Sequence, residues 1–587
     1  MKLKVISVIL ASVCSLAAQA ECQLNQRISQ IQGLGKQSLL LGQQVQTAGV
    51  VSAVLYPKSK DAALLVHSLT PDQDNRSSEA LLIADSQLAA QYKVGQLLQL
   101  TGTVTERHGM TALEKVQATT CGNQTIPAAV EFTLPVKSKA DWEAVEGMLL
   151  SFPQSLVVND SYPLARYGEI LLADKRLWVA TELMPAGKEA NAFEQQQRLS
   201  EIWLDDGLSQ QNPEPIRYPT GGLNAKHTVR VGDTVHNLQA YLIETKQGYR
   251  LIPASEPQFA STNPRQPAPS AKVAGSIRVA SFNVLNFFTG ETAAAAFPTR
   301  RGASTAEELA RQQAKMLAAL SVMDADVIGL LEVENNGTDA HSAIATIVRE
   351  LNKTLGAERY AFVQPAGSQG TDAIKVAMIY DQTRLKQSGQ AAVISTGPFA
   401  YGSRAPLAQS FAPLNGGESF TVSINHFKSK GSCPEDKNSV DADHGQGCWT
   451  HSRVEAAKAA NQWLQSQPTG VHTANQLLIG DLNAYRKEDP LLQLAKDGWL
   501  HLAPEHDGKA HYSYVYRGRT GSLDHALASK SLADKLQQFQ HWNINADEPA
   551  ILDYNMEFKS KTQLEQLYAP DAFRSSDHDP VLMDFKF

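Results

Sequence analysis

Six short stretches of this 587-residue chain carry an apolar run into polar groups that can bind cations or move protons. "SFNVLNF" contains Asn283 and Asn286, and "VIGLLEVEN" carries Glu332. "TVSINHFKSK" reaches Asn425, His426 and Lys428, and "LLIGDLNAYR" reaches Asp481 and Asn483. "GSLDHALAS" carries Asp524 and His525, and "SSDHDPVLMDF" supplies Asp577 and His578. A lone acid or asparagine at a strand end is ordinarily a solvated turn. Six such ends in one region need a common cause, because strand ends on one edge of a sheet converge in space. Convergent Glu, Asp, Asn and His are what hydrolysis of a phosphodiester requires. Glu332 and Asp481 offer hard oxygens to a divalent cation, Mg2+ or Mn2+, with Asn283 and Asn483 as neutral oxygen or phosphate donors. A histidine oriented by a carboxylate, as His578 by Asp524, can deprotonate water, and His426 can donate a proton across the site. Two histidines with opposite duties fit in-line displacement at phosphorus. The residue types leave open which histidine is the base.

The elements that must position these groups alternate between strand and helix. Period and β-branched content predict strands over 277–288, 374–380, 419–426 and 476–481, with "ADVIGLLEVEN" as a further buried strand. "STAEELARQQAKMLAALSVM" opens with a capping box, Ser304 to Glu307, and keeps apolar residues at helical spacing. Another helix is expected near 451–466. Strands and helices mixed in one large unit predict two sheets, or one sheet layered with helices.

Upstream of residue 256 the texture changes to short alternating segments. "LGQQVQTAGVV" from Leu41 and "VGQLLQLTGTV" from Val94 repeat one phrase, and "VGDTVHNLQAYL" from Val231 echoes it. A turn glycine before a period-2 strand, with a second glycine at a bend, belongs to small curved β-barrels. The expected organisation is a leader over 1–20, β domains over 22–127 and 128–258, a proline-rich linker over 259–275, and a catalytic domain over 276–587.

Residues 1–20 read as a secretory signal, with Lys2 and Lys4 before an apolar run and Ala18-Gln19-Ala20 as the cleavage site. Of five cysteines, Cys14 leaves with that leader. Cys22, Cys121, Cys433 and Cys448 remain, an even count that predicts two disulfides in an exported protein. Cys433 and Cys448 share one loop, which favours Cys433–Cys448 and Cys22–Cys121. No later stretch has the 18 or so apolar residues of a membrane span. The net charge of −7 supplies no general basic footprint for nucleic acid, so phosphates must be met by local basic residues and cations. Lys428 and Lys430, and Arg486 with Lys487, are such local groups. Asp441 and Asp443 in the glycine-rich "DADHGQG" form a secondary candidate for Ca2+, beside the plainer reading of a disulfide-pinned solvated loop.

"SFNVLNF", "GLLEVEN", "NHFKSK", "GDLNAY", "SLDHAL" and "SSDHDP", in that order, resemble the signature blocks of the endonuclease/exonuclease/phosphatase superfamily over about 276–587. The resemblance implies a four-layer DNase I-like α/β sandwich. "GTDAIKVAMIY", "SRAPLAQSF" and the insertion "GSCPEDKNSVDADHGQGCWTHSR" narrow it to bacterial extracellular deoxyribonucleases of the ExeM and Xds type, and the upstream "ISQIQGLGKQSLLLGQQVQTAGVV" is similar to the OB-like domain preceding such nucleases. It further implies Asn283, Glu332 and Asp577 at the metal and Arg404 on phosphate. His426 and His578 become the acid/base pair, Asp481 and Asn483 the GDxN motif, Asp524 the orienter of a histidine, and Asp372 the orienter of His426.

The leading expectation is therefore a secreted, metal-dependent nuclease acting on extracellular DNA with little sequence preference, RNA being open as a second substrate. Export could also end in the periplasm. No obligate protein partner is indicated. Two alternatives stand beside it. A phospholipid phosphodiesterase on the same fold would want apolar membrane-facing loops, where this chain has polar and basic ones. A non-catalytic nucleic-acid or surface-binding protein would have shed some of Glu332, His426, Asp481, Asn483, Asp524, Asp577 or His578, and all are present.

Overall fold

The protein is described here by a computed structural model covering residues 22–290, 297–504 and 511–587; the expected leader lies outside the described residues. The chain divides into two compact units. One comprises the described residues up to Glu131 with Ser138–Ser151 and Gln239–Ala254; the other comprises Phe132–Lys137, Phe152–Leu238 and Ser255–Phe587.

In the first unit the repeated phrase becomes two neighbouring strands. Gln44–Leu55 and Gln96–Arg107 pair antiparallel from Gln44 opposite Thr103 to Val50 opposite Leu97. With Ala63–His67, Ala80–Ile83 and Met110–Asn123 they close a five-stranded barrel. Its interior is the alternating set Leu98, Leu100 and Val104, packed on Val51, Leu64, Leu81 and Leu113. A disulfide joins Cys22 to Cys121 as expected.

The second unit opens with five short antiparallel strands in the order Gln258–Ala260, Thr234–His236, Leu156–Asp160, Ile170–Ala173 and Glu201–Leu204. Two six-stranded sheets follow. The first runs Tyr360–Phe362, Ile374–Asp381, Val327–Glu334, Ile277–Phe287, Val581–Phe585, Leu536–His541. The second runs Leu385–Val393, Leu407–Pro413, Phe420–His426, Gln476–Asp481, Asp524–Ala528, Leu500–His501. Val279, Val376 and Met378 of the first sheet meet Phe411, Ile424 and Ile479 of the second in one buried core. Helices Ala306–Val322 and Ala343–Leu355 cover the outer face of the first sheet through Met316, Leu320, Ile347 and Leu351. Helices Thr450–Gln465 and Asp489–Lys496 cover the second through Ala456, Ala460, Leu491 and Leu494. The result is helix, sheet, sheet, helix, which gives the near-continuous apolar strands a buried surface on both faces.

Two local details differ from the sequence expectation or extend it. The helix expected to cap at Ser304 instead caps at Thr305, whose side chain accepts from Glu308 N at 3.1 Å while Glu308 returns to Ser304 N at 2.7 Å. "STAEE" offers the same spacing twice, and Glu308 also accepts from Met556 N at 2.8 Å, so a distant loop selects the register. The proline-rich stretch is bonded along its length: Arg265 pairs with Glu548 at 2.6 Å, Lys272 with Asp326 at 2.9 Å, and Val273 N with Asp584 at 2.8 Å. The second expected disulfide, Cys433–Cys448, is present. Among the described residues no helix is long and apolar enough to cross a membrane.

Candidate active site

Strand register alone places three of the polar ends in a row. Phe420–His426 and Gln476–Asp481 run parallel with His426 opposite Asp481, and Asp481 is opposite Asp524 on the next strand. In the other sheet Asn283 is opposite Leu331, so Glu332 follows immediately, and Val581–Phe585 beside them begins just after Asp577 and His578. These ends open onto one cleft of about 460 Å3 lined by Asn286, Arg301, Glu332, Arg404, His426, Asp481, Asn483, Tyr514, Asp577 and His578, among others.

His578 Nδ1 bonds Asp524 Oδ2 at 2.6 Å, and Ser513 Oγ donates to the same carboxylate oxygen at 2.7 Å. Its other nitrogen, Nε2, lies 3.9 Å from Asp481 Oδ2. His426 Nε2 approaches that oxygen at 3.5 Å and Arg404 Nη1 at 3.3 Å. The two imidazoles thus flank one carboxylate. Their electrostatics are opposite. Burial disfavours the charged form of His578, but Asp524, Asp577 and Asp481 outweigh it and hold the pKa well above the usual histidine value. Burial, then the positive charges of Arg404 and His578, push His426 well below it.

Asp481 also accepts from Asn483 N at 2.9 Å, a local turn that sets Asn483 at φ 47° and sends its amide to Phe427 O at 3.2 Å. Burial first, partly offset by His578 and reinforced by Asp524, raises Asp481 to about 7. Glu332 has φ 63°, a backbone conformation uncommon outside glycine, and its carboxylate is held by Asn283 Nδ2 at 3.3 Å and Asn286 N at 3.0 Å. Burial, then the charge of Asp577, raises its pKa. Asp481, Asp524 and His578 have ligand atoms mutually within 4.8 Å, a buried donor set consistent with a divalent cation.

Asp372 sits a step away from the expected partner: it pairs with Arg404 Nε at 3.4 Å and Arg301 at 3.5 Å, while His426 Nδ1 has no hydrogen-bond partner among the described residues. Lys428 lays its ammonium over the Trp449 ring, 4.8 Å from the centroid. Asp441 caps the helix start by accepting from Ser452 N at 2.8 Å, and Asp443 braces Gly445 N at 2.8 Å and Gly447 N at 3.0 Å. Both insertion acids therefore serve the loop backbone and lie outside the groups of three metal-ligating residues found among the described residues. His525 turns to Ala484 O at 2.7 Å and His501 at 2.9 Å, as a structural neighbour of Asp524. Asp579 accepts from Asn545 N at 2.7 Å and Asn543 at 2.8 Å, fixing the loop beneath His578.

Arg301, Ser513 and Tyr514 were not singled out in the sequence. Tyr514 packs against His578 with centroids 4.6 Å apart and ring planes tilted by 31°. "HYSYVYRG" alternates tyrosines at strand spacing, but only the fold brings it beside the last strand.

No curated protein matches the chain. Similar solved structures include an endonuclease/exonuclease/phosphatase family protein from Bacteroides thetaiotaomicron at 13% identity and TM-score 0.34, covering 54% of this chain and 96% of that one. The human Nocturnin catalytic domain aligns at 16% identity and TM-score 0.33, covering 54% and 96%. A mannosyl-6-phosphatase from Bacteroides thetaiotaomicron aligns at 13% identity and TM-score 0.34, covering 53% and 100%. A profile of the Endonuclease/Exonuclease/phosphatase family matches residues 280–578, from the first strand end through His578. With more than half its length inside that match, the chain belongs to the endonuclease/exonuclease/phosphatase family.

Proposed function

We propose that the protein is an exported, metal-dependent nuclease of the ExeM and Xds type, hydrolysing phosphodiester bonds of extracellular DNA with little sequence specificity. The observation that carries this reading is the 2.6 Å His578–Asp524 bond, which leaves the second imidazole nitrogen facing a cleft of acids, asparagines and Arg404. In this reading His578, oriented by Asp524, takes a proton from the attacking water; with Asp481 and Asp577 engaged by a cation, less negative charge would favour its protonated form, leaving the ring free to act as base. His426, kept neutral beside Arg404, donates an N–H hydrogen bond on the leaving side. Arg404, aligned by Asp372, and Asn483 bind the phosphoryl oxygens, and Lys428 lies at the rim.

The acids fit a hard divalent cation. Asp524 Oδ2 and His578 Nδ1 are engaged with each other, which favours Glu332, held in place by Asn283 and Asn286 N, with Asp481 and Asp577 as the ligands. Carboxylate oxygens braced by amides suit Mg2+ or Mn2+, which when bound supplies charge neutralisation at the phosphoryl oxygens. The helix-capping and turn-bracing roles of Asp441 and Asp443 give Ca2+ in that loop less support. The closed five-stranded barrel supports reading the first domain, over 22–127, as OB-like, with a second β-rich OB-like domain over 128–258 as part of the same proposal. Two disulfides suit an oxidising compartment, in keeping with secretion after cleavage near Ala20.

The test is hydrolysis of supercoiled plasmid, linear DNA and RNA with Mg2+, Mn2+ or chelator. DNA should be cleaved with metal and spared by chelator, and metal-loaded protein that leaves every nucleic acid intact ends the reading. His578→Ala should lower kcat by about 10²- to 10⁴-fold in protein of unchanged circular dichroism.

A further inference from the structure

The surface around the cleft continues past His578. Tyr514, whose ring lies against His578, stacks on Tyr516 at 6.5 Å with planes 14° apart. They are alternate residues of one strand, so their side chains share a face. Tyr516 in turn lines a second pocket of about 480 Å3, together with Trp203, Arg198, Asn191 and Arg517. That volume is in the range of small-ligand sites. One aromatic residue therefore belongs to the cleft and its stacked neighbour to the pocket, so a tyrosine pair links the two linings.

The hairpin is built to hold this surface still. Tyr516 pairs with Arg519, leaving Arg517 and Gly518 as a two-residue loop with φ of 50° and 73°. Two positive φ values define a type I′ turn, the connection that matches strand twist. A Cβ on Gly518 would lie 2.3 Å from Leu171 Cδ2, so the tip is seated against the strand Ile170–Ala173. Arg519 lines the same pocket together with Glu194 and Glu201 and neutralises both, each at 2.9 Å. Tyr516 itself is 52% exposed, with the Arg517 guanidinium 5.3 Å from its ring centroid.

A rigid, exposed aromatic face with a guanidinium beside it suits an unpaired nucleobase. Every base has a π-face, and arginine adds attraction for the backbone. A base inside a duplex could reach such a pocket only by leaving its stack. Resting on the nucleic-acid reading of the cleft, we propose that Tyr516, Arg517 and Trp203 form a nucleotide subsite that takes an unpaired base of a single-stranded nucleic acid while a neighbouring phosphate lies in the cleft.

The test compares wild type, Tyr516→Ala and Tyr516→Trp on single-stranded DNA and RNA oligonucleotides of one sequence, on the DNA duplex, and on bis(4-nitrophenyl) phosphate, which has no base. Tyr516→Ala should raise KM for single strands roughly tenfold at unchanged kcat, the effect of one lost base stack. Tyr516→Trp should retain the wild-type KM, and hydrolysis of the small diester should be equal in all three proteins. The DNA and RNA arms report whether the subsite takes one sugar or both, and a KM penalty on either supports it. An unchanged KM for both single strands in Tyr516→Ala overturns the subsite while leaving the nuclease reading intact, as does an equal loss on oligonucleotide and small diester. Wild-type protein that cleaves the small diester and no nucleic acid overturns the nuclease reading and the subsite with it.

Discussion

The bond from His578 Nδ1 to Asp524 Oδ2 fixes which face of one imidazole meets the cleft, and Ser513 Oγ fixes the carboxylate. Asp524→Asn keeps the shape but removes the charge that orients the ring and stabilises its protonated form. It should lower kcat by about 10²- to 10⁴-fold with KM little altered, read from steady-state kinetics. Other buried histidines act on stability. Burial lowers His525 to about 4, partly offset by its bond to Ala484 O, and lowers His541 to about 3, reinforced by the charge of His511. Below the ordinary histidine value near 6.5 the unfolded chain binds protons that the folded chain refuses. Their contribution is complete above about pH 6.5 and is lost as pH falls toward those two values, at roughly 1.4 kcal/mol per pH unit for each histidine. Because raised carboxylates such as Asp481 oppose this trend, the histidine contribution is read by difference: between about pH 6 and 4 wild type should lose more thermal stability than His541→Asn. Parallel profiles for the two proteins would show that folding does not lower the His541 pKa.

Among the elements, the parallel pair Phe420–His426 and Gln476–Asp481 does most to assemble the site, because its register sets His426 against Asp481. Gly480 makes that approach. Its φ is 133°, and a Cβ there would lie 1.9 Å from Asn425 O, which no side-chain rotation can relieve. Gly480→Ala should cost at least about 2 kcal/mol in urea unfolding and displace Asp481 from His426, so that activity falls even at temperatures where the variant is folded. Wild-type stability in that variant would mean the two strands can separate locally without cost. The same crowding explains why "LLIGDLN" carries a glycine in the middle of a buried strand.

At the scale of the second unit, residues far upstream hold the loop that carries His578. Arg230, almost fully buried, pairs with Asp547 at 3.3 Å and with Glu548; Arg176 adds Asp547 at 3.2 Å and Arg265 adds Glu548 at 2.6 Å. Two residues before that acidic pair, Asn545 donates to His578 O at 2.6 Å and to Asp579 through its backbone. Nearby, Glu182 accepts from Ser522 N at 3.1 Å, and Thr181 donates to Glu488 at 2.8 Å, supporting the segments on either side of Asp524 and Asp481. The strands of 152–238 are in this sense part of the catalytic scaffold. Arg230→Ala leaves two buried acids short of a cation and should destabilise the protein by about 3–5 kcal/mol. A fragment beginning at residue 255 should lose activity together with cooperative unfolding, whereas a stable and active fragment would show that Asp547 and Glu548 tolerate the loss.

What the sequence determined by itself was local. Strand and helix periods, the six polar strand ends, the repeated barrel phrase and the Cys433–Cys448 pairing are each written in short stretches, because side-chain spacing and loop proximity depend on near neighbours, and Cys22–Cys121 follows as the pair that remains. Where the same local pattern occurs twice, as in "STAEE", a distant contact chose between the copies. The tertiary structure decided which groups share a partner. It set Asp372 on Arg404 while leaving His426 to Arg404 and Asp481, gave Asp441 and Asp443 to their own loop, and brought Ser513, Tyr514 and the upstream arginines to His578. Those assignments depend on strand register and on packing between segments hundreds of residues apart, and no spacing along the chain encodes them.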